Sequence, residues 1–141
     1  MKRFTNANAR HYRIEGKLEA GLILSGGEVK EVRTRGIQLT EAMVQLKDGE
    51  AYLVNASVAP YQFARTEAYD PKRTRKLLLK KGELSQLISK RRQGLTIIPL
   101  ACYTKSGWIK ILLGLGKKRK KVDKKRELIE KQARKEIKKH F

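Results

Sequence analysis

The chain has 141 residues, with 34 Lys and Arg against 14 Asp and Glu, giving a formal charge of +20. That length suits a single ordinary domain, and so much charge of one sign repels itself until a polyanion neutralises it. Nucleic acid is the natural partner, because each phosphate contact releases condensed counterions; a membrane surface is the rival, but the longest uncharged apolar run, Leu95 to Tyr103, contains Pro99 and falls far short of the ~20 residues that span a bilayer.

The first 116 residues read mainly as strand. Leu18 to Leu24 is aliphatic and runs into Ser25-Gly26-Gly27, a turn signal. A short helix is predicted over Glu28 to Arg33, with Val29 and Val32 at helical spacing. Ala42 to Leu46 then faces Ala51 to Val54 across Lys47-Asp48-Gly49-Glu50, and Asp-Gly between alternating runs marks a hairpin. A second helix is predicted over Glu83 to Arg92. Its Leu84, Leu87 and Ile88 share a face, Lys90, Arg91 and Arg92 complement the helix dipole, and Gly94 supplies the stop. Thr96 to Ile98 and Trp108 to Leu115 form another pair, joined near Lys105-Ser106-Gly107. In the latter strand Ile109, Ile111, Leu113 and Leu115 fall on one face. Several short antiparallel strands with two helices predict a mainly β, α+β fold, a small barrel such as an OB-fold.

The remainder, residues 117–141, differs in kind. It holds thirteen basic and four acidic residues, so the chain divides near Gly116 into a moderately basic body, 1–116, and a highly basic tail. The lysine-rich run Lys117, Lys118, Arg119, Lys120 and Lys121 opposes folding. Further on, Ile129, Ala133 and Ile137 fall four apart, with Glu127–Lys131 and Glu130–Arg134 as favourable helical pairs. The reading is a tail disordered when free and helical once phosphates neutralise it; a charged tail that merely aids solubility is the alternative.

Chemistry for catalysis is sparse. The two histidines, His11 and His140, and the single Cys102 form no marked nucleophile pair, and no cluster of metal ligands stands out. Gly114-Leu115-Gly116-Lys117 lacks the first Gly and the following Ser or Thr of a phosphate-binding loop. No enzyme activity, metal or cofactor is expected. Cys102 cannot pair within the chain, which fits a reducing cytoplasm, and reads as a small buried apolar residue. The start, Met1 to Asn6, leads into no apolar stretch of the secretory kind.

Asp70-Pro71-Lys72-Arg73-Thr74-Arg75-Lys76-Leu77-Leu78-Leu79 is the most informative segment. Cations beside apolar side chains can hold phosphate and pack on an unstacked base at once; a helix start with a solvated basic face is the plainer reading. The segment resembles the Asp-Pro-x-Arg-x-Arg-Lys-Leu-Leu-Leu signature of the tmRNA-binding (SsrA-binding) protein family. Glu19-Ala20-Gly21, Gly27-Glu28-Val29-Lys30 with Arg33, Gly49 to Leu53, Pro60-Tyr61, Gly94 to Leu100, Gly116-Lys117-Lys118 and Asp123-Lys124-Lys125-Arg126-Glu127 are similar to further family elements, in order. The sequence departs where Ala7 and Asn8 replace basic residues, where Glu31 replaces Ser, and where Lys125 stands for Arg.

The resemblance implies an OB-like barrel that clasps the tRNA-like domain of tmRNA. Elongation factor Tu would deliver the complex to a ribosome stalled without a codon. There the tail would fold in the empty mRNA path beside small-subunit rRNA, and translation would resume on tmRNA. Glu19 and Leu78 match family positions that contact the tRNA-like domain. Asn6, Arg10, His11, Lys30, Arg33, Arg73, Arg75 and Lys76 are expected at the same RNA surface. Lys117 to Lys121, with Asp123, Lys124, Lys125 and Arg126, are expected on the ribosome. A general rRNA-binding ribosomal or assembly-associated protein is the competing reading.

Overall fold

A computed structural model of the chain describes residues 3–62 and 68–119. Seven strands form one antiparallel sheet: β1 (Phe4–Thr5), β2 (Tyr12–Leu22), β3 (Met43–Lys47), β4 (Glu50–Val54), β5 (Arg75–Leu78), β6 (Thr96–Lys105) and β7 (Trp108–Lys118). Their spatial order is β1-β6-β7-β2-β5-β4-β3. Helices α1 (Gly26–Thr34) and α2 (Lys81–Arg92) interrupt the strands, and a 3₁₀ helix, Ala7–His11, precedes β2.

Both predicted hairpins form through two-residue turns. Asp48 and Gly49 have φ of 51° and 72°, and Ser106 and Gly107 have 52° and 79°. These left-handed pairs match the twist of the strands that they join. The alternation on β7 follows: Ile109, Ile111, Leu113 and Leu115 are all buried. They pack with Ala20, Leu22, Leu53, Leu77, Leu87 and Val32 in one core, which Cys102 joins as a fully buried thiol. Burial pushes that thiol's pKa up to about 12, so it behaves as an apolar group.

A closed barrel is not what the hydrogen bonds describe. The sheet curls far enough to bring β3 against β6, yet among the described residues no pairing joins β3 to β1. The observed class is a curled, open antiparallel sheet with two helices. The body also extends past Gly116. Lys117 pairs with Arg13 and Lys118 with Tyr12, and the Arg119 amide donates to the His11 carbonyl at 2.7 Å. The expected boundary at Gly116 therefore falls inside β7, because both lysines stay exposed while their backbone is committed to β2. Residues 120–141 lie outside the described residues.

Ser25-Gly26-Gly27 is the start of α1 rather than a free turn. The Ser25 hydroxyl accepts from the Glu28 amide at 3.3 Å, and the Glu28 carboxylate accepts from the Ser25 amide at 3.0 Å, a reciprocal cap. α2 begins two residues earlier than predicted, with Glu83 accepting from the Lys80 amide at 2.8 Å. It stops at Gly94, whose φ of 91° lets the chain reverse.

Glu28 also ties α1 to the segment before β5. Its side chain is buried, 3% exposed, and accepts from Arg73 Nε at 3.1 Å, Arg75 Nε at 2.8 Å and the Tyr69 hydroxyl at 3.1 Å. Arg75 is fully buried and donates besides to the carbonyls of Ala56 (2.8 Å), Pro71 (3.0 Å) and Arg73 (3.1 Å). Every exit of its guanidinium is thus filled from within the protein. Burial alone would raise the pKa of Glu28, but hydrogen bonds from Arg73, the Ser25 amide and Arg75 outweigh it and hold the carboxyl at about 2.

Two outcomes follow from this buried cluster. Arg75→Met leaves Glu28 buried and short of a cation, and should cost about 3–5 kcal/mol in denaturant unfolding. A carboxyl depressed in the folded state stabilises above its unfolded pKa and loses that stabilisation as pH falls. Stability should therefore drop between about pH 4.5 and pH 2, by an amount on the order of 3 kcal/mol from this group. Glu28→Gln should be less stable at pH 7 and should flatten that decline, as followed by melting temperature against pH.

Candidate nucleic-acid interface

Strand register fixes what the outer face of the sheet presents. Gly21 on β2 pairs with Leu78 on β5 and with Lys110 on β7, and Lys110 pairs with Tyr103 on β6. Leu78, Gly21, Lys110 and Tyr103 thus form a transverse row over four strands, all directed away from the core residues Leu77, Ala20, Ile111 and Cys102. One row along, Lys105 pairs with Trp108, and the Ile23 amide donates to the Lys76 carbonyl at 3.0 Å. On the other side of the row lies Glu19, two residues before Gly21 and on the same face.

Apolar groups and cations alternate over this surface. Leu78 is 53% exposed and Trp108 is 70% exposed, with Ile23 also open to solvent. Lys76, Lys105 and Lys110 surround them, Lys76 being 3.6 Å from Glu50. Gly21 forms the low point of its row. A Cβ there would lie 3.2 Å from the Leu78 Cβ, tighter than ordinary contact, so the absent side chain leaves the floor open.

Glu19 is held in place. The Tyr103 hydroxyl donates to its carboxylate, and the Lys105 ammonium lies 3.4 Å away. The Tyr103 hydrogen bond lowers the Glu19 pKa against burial, helped by Lys105 and Lys110. Burial, with the bond to Glu19 and its charge, pushes Tyr103 up to about 12. The carboxylate therefore stays ionised, an acceptor aimed outward from a basic surface. Arg3 lies 5.0 Å from the centroid of the same tyrosine ring.

Seven of the ten expected RNA residues fall into three groups. Glu19, Leu78 and Lys76 share the outer face. Arg33 borders it: its guanidinium donates to the Gly107 carbonyl at 2.9 Å and so fixes the β6–β7 turn to α1. Lys30, exposed on α1, sits 5.5 Å from the Tyr61 ring centroid. Arg10 and His11 lie on the 3₁₀ helix, where the far end of β7 brings Lys117, Lys118 and Arg119 alongside β2. This makes a second basic cluster at the opposite end of the sheet.

Two expectations are corrected. Arg75 is interior, spent on Glu28 and three carbonyls, and presents no surface to RNA. Asn6 is buried as well. Its amide donates to Pro99 O at 2.8 Å and its side-chain oxygen caps the Asn8 amide at 3.0 Å, which anchors the chain at the irregularity in β6 between Pro99 and Ala101. Arg73 is partly spent in the same way, being paired with Glu28. No helix starts at 70–76, and its cations divide: Lys72 and Lys76 stay at the surface, whereas Arg73 and Arg75 pair with Glu28. The Asp70 carboxylate turns the chain by accepting from the Lys72 amide at 2.9 Å, and the arginines fold inward.

Sequence reading missed Tyr103, Lys105, Trp108 and Lys110. The polar phase of β7 would have given Lys110, and the Ser106-Gly107 turn would have set Lys105 opposite Trp108. Tyr103 then follows from the register. Among the described residues no group of three His, Cys, Asp or Glu lies together as a metal site, and no helix is long and apolar enough to cross a membrane.

The sequence profile of the family described as SmpB protein matches residues 3–141. The SsrA-binding protein of Anoxybacillus flavithermus is 41% identical over 138 residues, covering 96% of this chain and 90% of the relative. That of Streptococcus pyogenes is 43% identical over 138 residues, covering 96% and 89%. A solved structure reported as "tmRNA-SmpB: a journey to the center of the bacterial ribosome" contains a chain that superposes with a TM-score of 0.69. It is 41% identical, covering 86% of this chain and 87% of that one. Matches of this extent span the sheet, both helices and the outer face together, and the chain belongs to the SmpB family of SsrA-binding proteins.

Proposed function

We propose that this protein binds the tRNA-like domain of tmRNA on the outer face of β5-β2-β7-β6 and brings it to stalled ribosomes for trans-translation. The observation that carries this reading is the convergence of Glu19, Leu78 and Lys76 on one face by strand register, in a chain whose relatives are SsrA-binding proteins. An ionised acceptor, an exposed leucine and flanking lysines suit RNA whose bases are partly unstacked. The lysines supply phosphate contacts without sequence preference, and the carboxylate selects donor groups. The curled sheet, with β3 lying against β6, is read as an OB-like barrel. The cytoplasm is the proposed site of action. Elongation factor Tu is the proposed carrier of the complex, and no metal or cofactor is invoked.

The division of labour has a second half. Residues 120–141, with Lys120, Lys121, Asp123, Lys124, Lys125 and Arg126, would occupy the empty mRNA path beside small-subunit rRNA. They would fold as a helix once phosphates neutralise them. Lys117, Lys118 and Arg119 launch this segment from the end of β7. Truncation after Arg119 would test the revised boundary more fairly than truncation after Gly116, which cuts into the sheet.

For the body, Glu19→Ala and Leu78→Ala should weaken binding of the tRNA-like domain at every salt concentration. Lys76→Ala should act mainly through the salt-dependent term, lowering the slope of log affinity against log salt by about one. Equal, wholly salt-dependent losses in a titration would favour the general rRNA-binding reading instead.

For the tail, replacing Asp123, Lys124, Lys125 and Arg126 with Ala should leave tmRNA binding intact and abolish peptide tagging on stalled ribosomes. A gel shift and a tagging assay on one preparation would check this. Loss of both activities together would refute the separation, and retention of both would reduce the four residues to a solvated charge run.

A further inference from the structure

Beside the Leu78–Gly21–Lys110 row the outer face sinks into an open groove of about 570 Å³. Gly21 makes its floor, Leu78, Ile23 and Leu24 one wall, and Trp108 with Lys110 the other. Trp108 opens β7 directly after the tight Ser106-Gly107 turn, on the strand phase opposite to buried Ile109, and is 70% exposed. The core gains little from a ring placed there, and an indole on a flexible loop would be a poor binding element. This one is not on a flexible loop. Lys105 pairs across the strand with Trp108, and Arg33 on α1 donates to the carbonyl of neighbouring Gly107 at 2.9 Å. The ring is presented on a turn braced from two sides.

Charge selects among the occupants that an apolar groove could take. Lys110 lines it, Lys105 lies across the strand pair from Trp108 and beside Glu19, Lys76 lies outward on β5, and Arg33 reaches the turn from α1. A protein segment that filled the groove with aliphatic side chains would meet Lys110 in its wall and Lys105, Lys76 and Arg33 nearby. A polynucleotide would place a flat base in the groove and its phosphates on those cations. The groove is also continuous with Glu19 and Leu78, so one RNA could reach both.

We propose that Trp108 is a stacking platform for an unpaired base of the bound RNA, seated in the groove over Gly21 with its flanking phosphates on Lys105 and Lys110. The inference rests on the tmRNA reading and deepens it. The RNA must offer an unstacked loop nucleotide at this point, since a base inside a duplex keeps both faces covered. Stacking needs only a π-face, so this contact adds affinity with little choice between bases, while Glu19 remains the discriminating group.

Trp108 is the single tryptophan of the chain, so its fluorescence reports on the groove directly. Titration of the full chain with the tRNA-like domain of tmRNA should quench that emission to saturation and shield it from acrylamide. Heparin at matched charge should leave it nearly unchanged. Trp108→Ala should weaken binding about tenfold with the salt slope unaltered, because no charge is lost. Trp108→Phe should recover part of the loss. Lys110→Ala should instead reduce the slope by about one.

If the wild-type chain binds the RNA with unquenched emission, or if Trp108→Ala binds as tightly, stacking is refuted while the tmRNA reading stands. Equal quenching by heparin also refutes it. A blue shift that grows with protein concentration without RNA would assign the groove to a second copy of the chain, and a blue shift on anionic vesicles would assign it to a membrane surface. Either overturns the proposal. Failure of the wild type to prefer the tRNA-like domain over an unrelated duplex would overturn the tmRNA reading along with it.

Discussion

The carboxylate of Glu28 is where three parts of the chain meet. It caps its own helix through the Ser25 amide, and it accepts from Arg73 and Arg75 on the segment that leads into β5. A buried ionised carboxylate is costly unless its oxygens are filled, and here five donors from four residues share that task. The position of β5 follows, since Arg75 is its first residue. Leu77 then enters the core, and Lys76 and Leu78 must face outward beside β2. The face proposed to meet RNA is set by an ion pair that lies in the interior.

The same ion pair is why composition alone misplaces half of the segment 72–76. Lys72-Arg73-Thr74-Arg75-Lys76 has the composition of a phosphate grip, and composition does not say which way a side chain points. The partner that turns the two arginines inward is Glu28, 45 and 47 residues away. A capping box explains Glu28 locally, and nothing local advertises its second role. Asn6 turns inward for a related reason. Its partner is the Pro99 carbonyl, 93 residues on, exposed by an irregularity in β6 that periodicity does not reveal.

Local signals served well where both partners are close in sequence. The two hairpins, the alternation on β7 and the stop at Gly94 depend on turn chemistry and a period of two, and each is found where those rules place it. The strand order and the open edge between β1 and β3 depend on pairings between distant segments, so patterning stopped at the fold class. The site shows the same division. Glu19 and Leu78 came from family likeness, whereas Trp108, Lys110 and Tyr103 needed the register of three strand pairings before they could be set beside them.

β7 carries more than core residues. It begins at Trp108 beside the groove and ends at Lys118, where it still pairs with the start of β2. A rise of about 3.4 Å per residue makes it a spacer of roughly 34 Å. The Trp108 end and the Lys118 end are thus held apart by one rigid element, at a separation fixed by its number of residues. A two-residue insertion in this strand would preserve its inward and outward faces while lengthening the spacer by about 7 Å. The strand is therefore a ruler as well as a wall of the core: it sets how far from the groove beside Trp108 the chain beyond Lys118 begins.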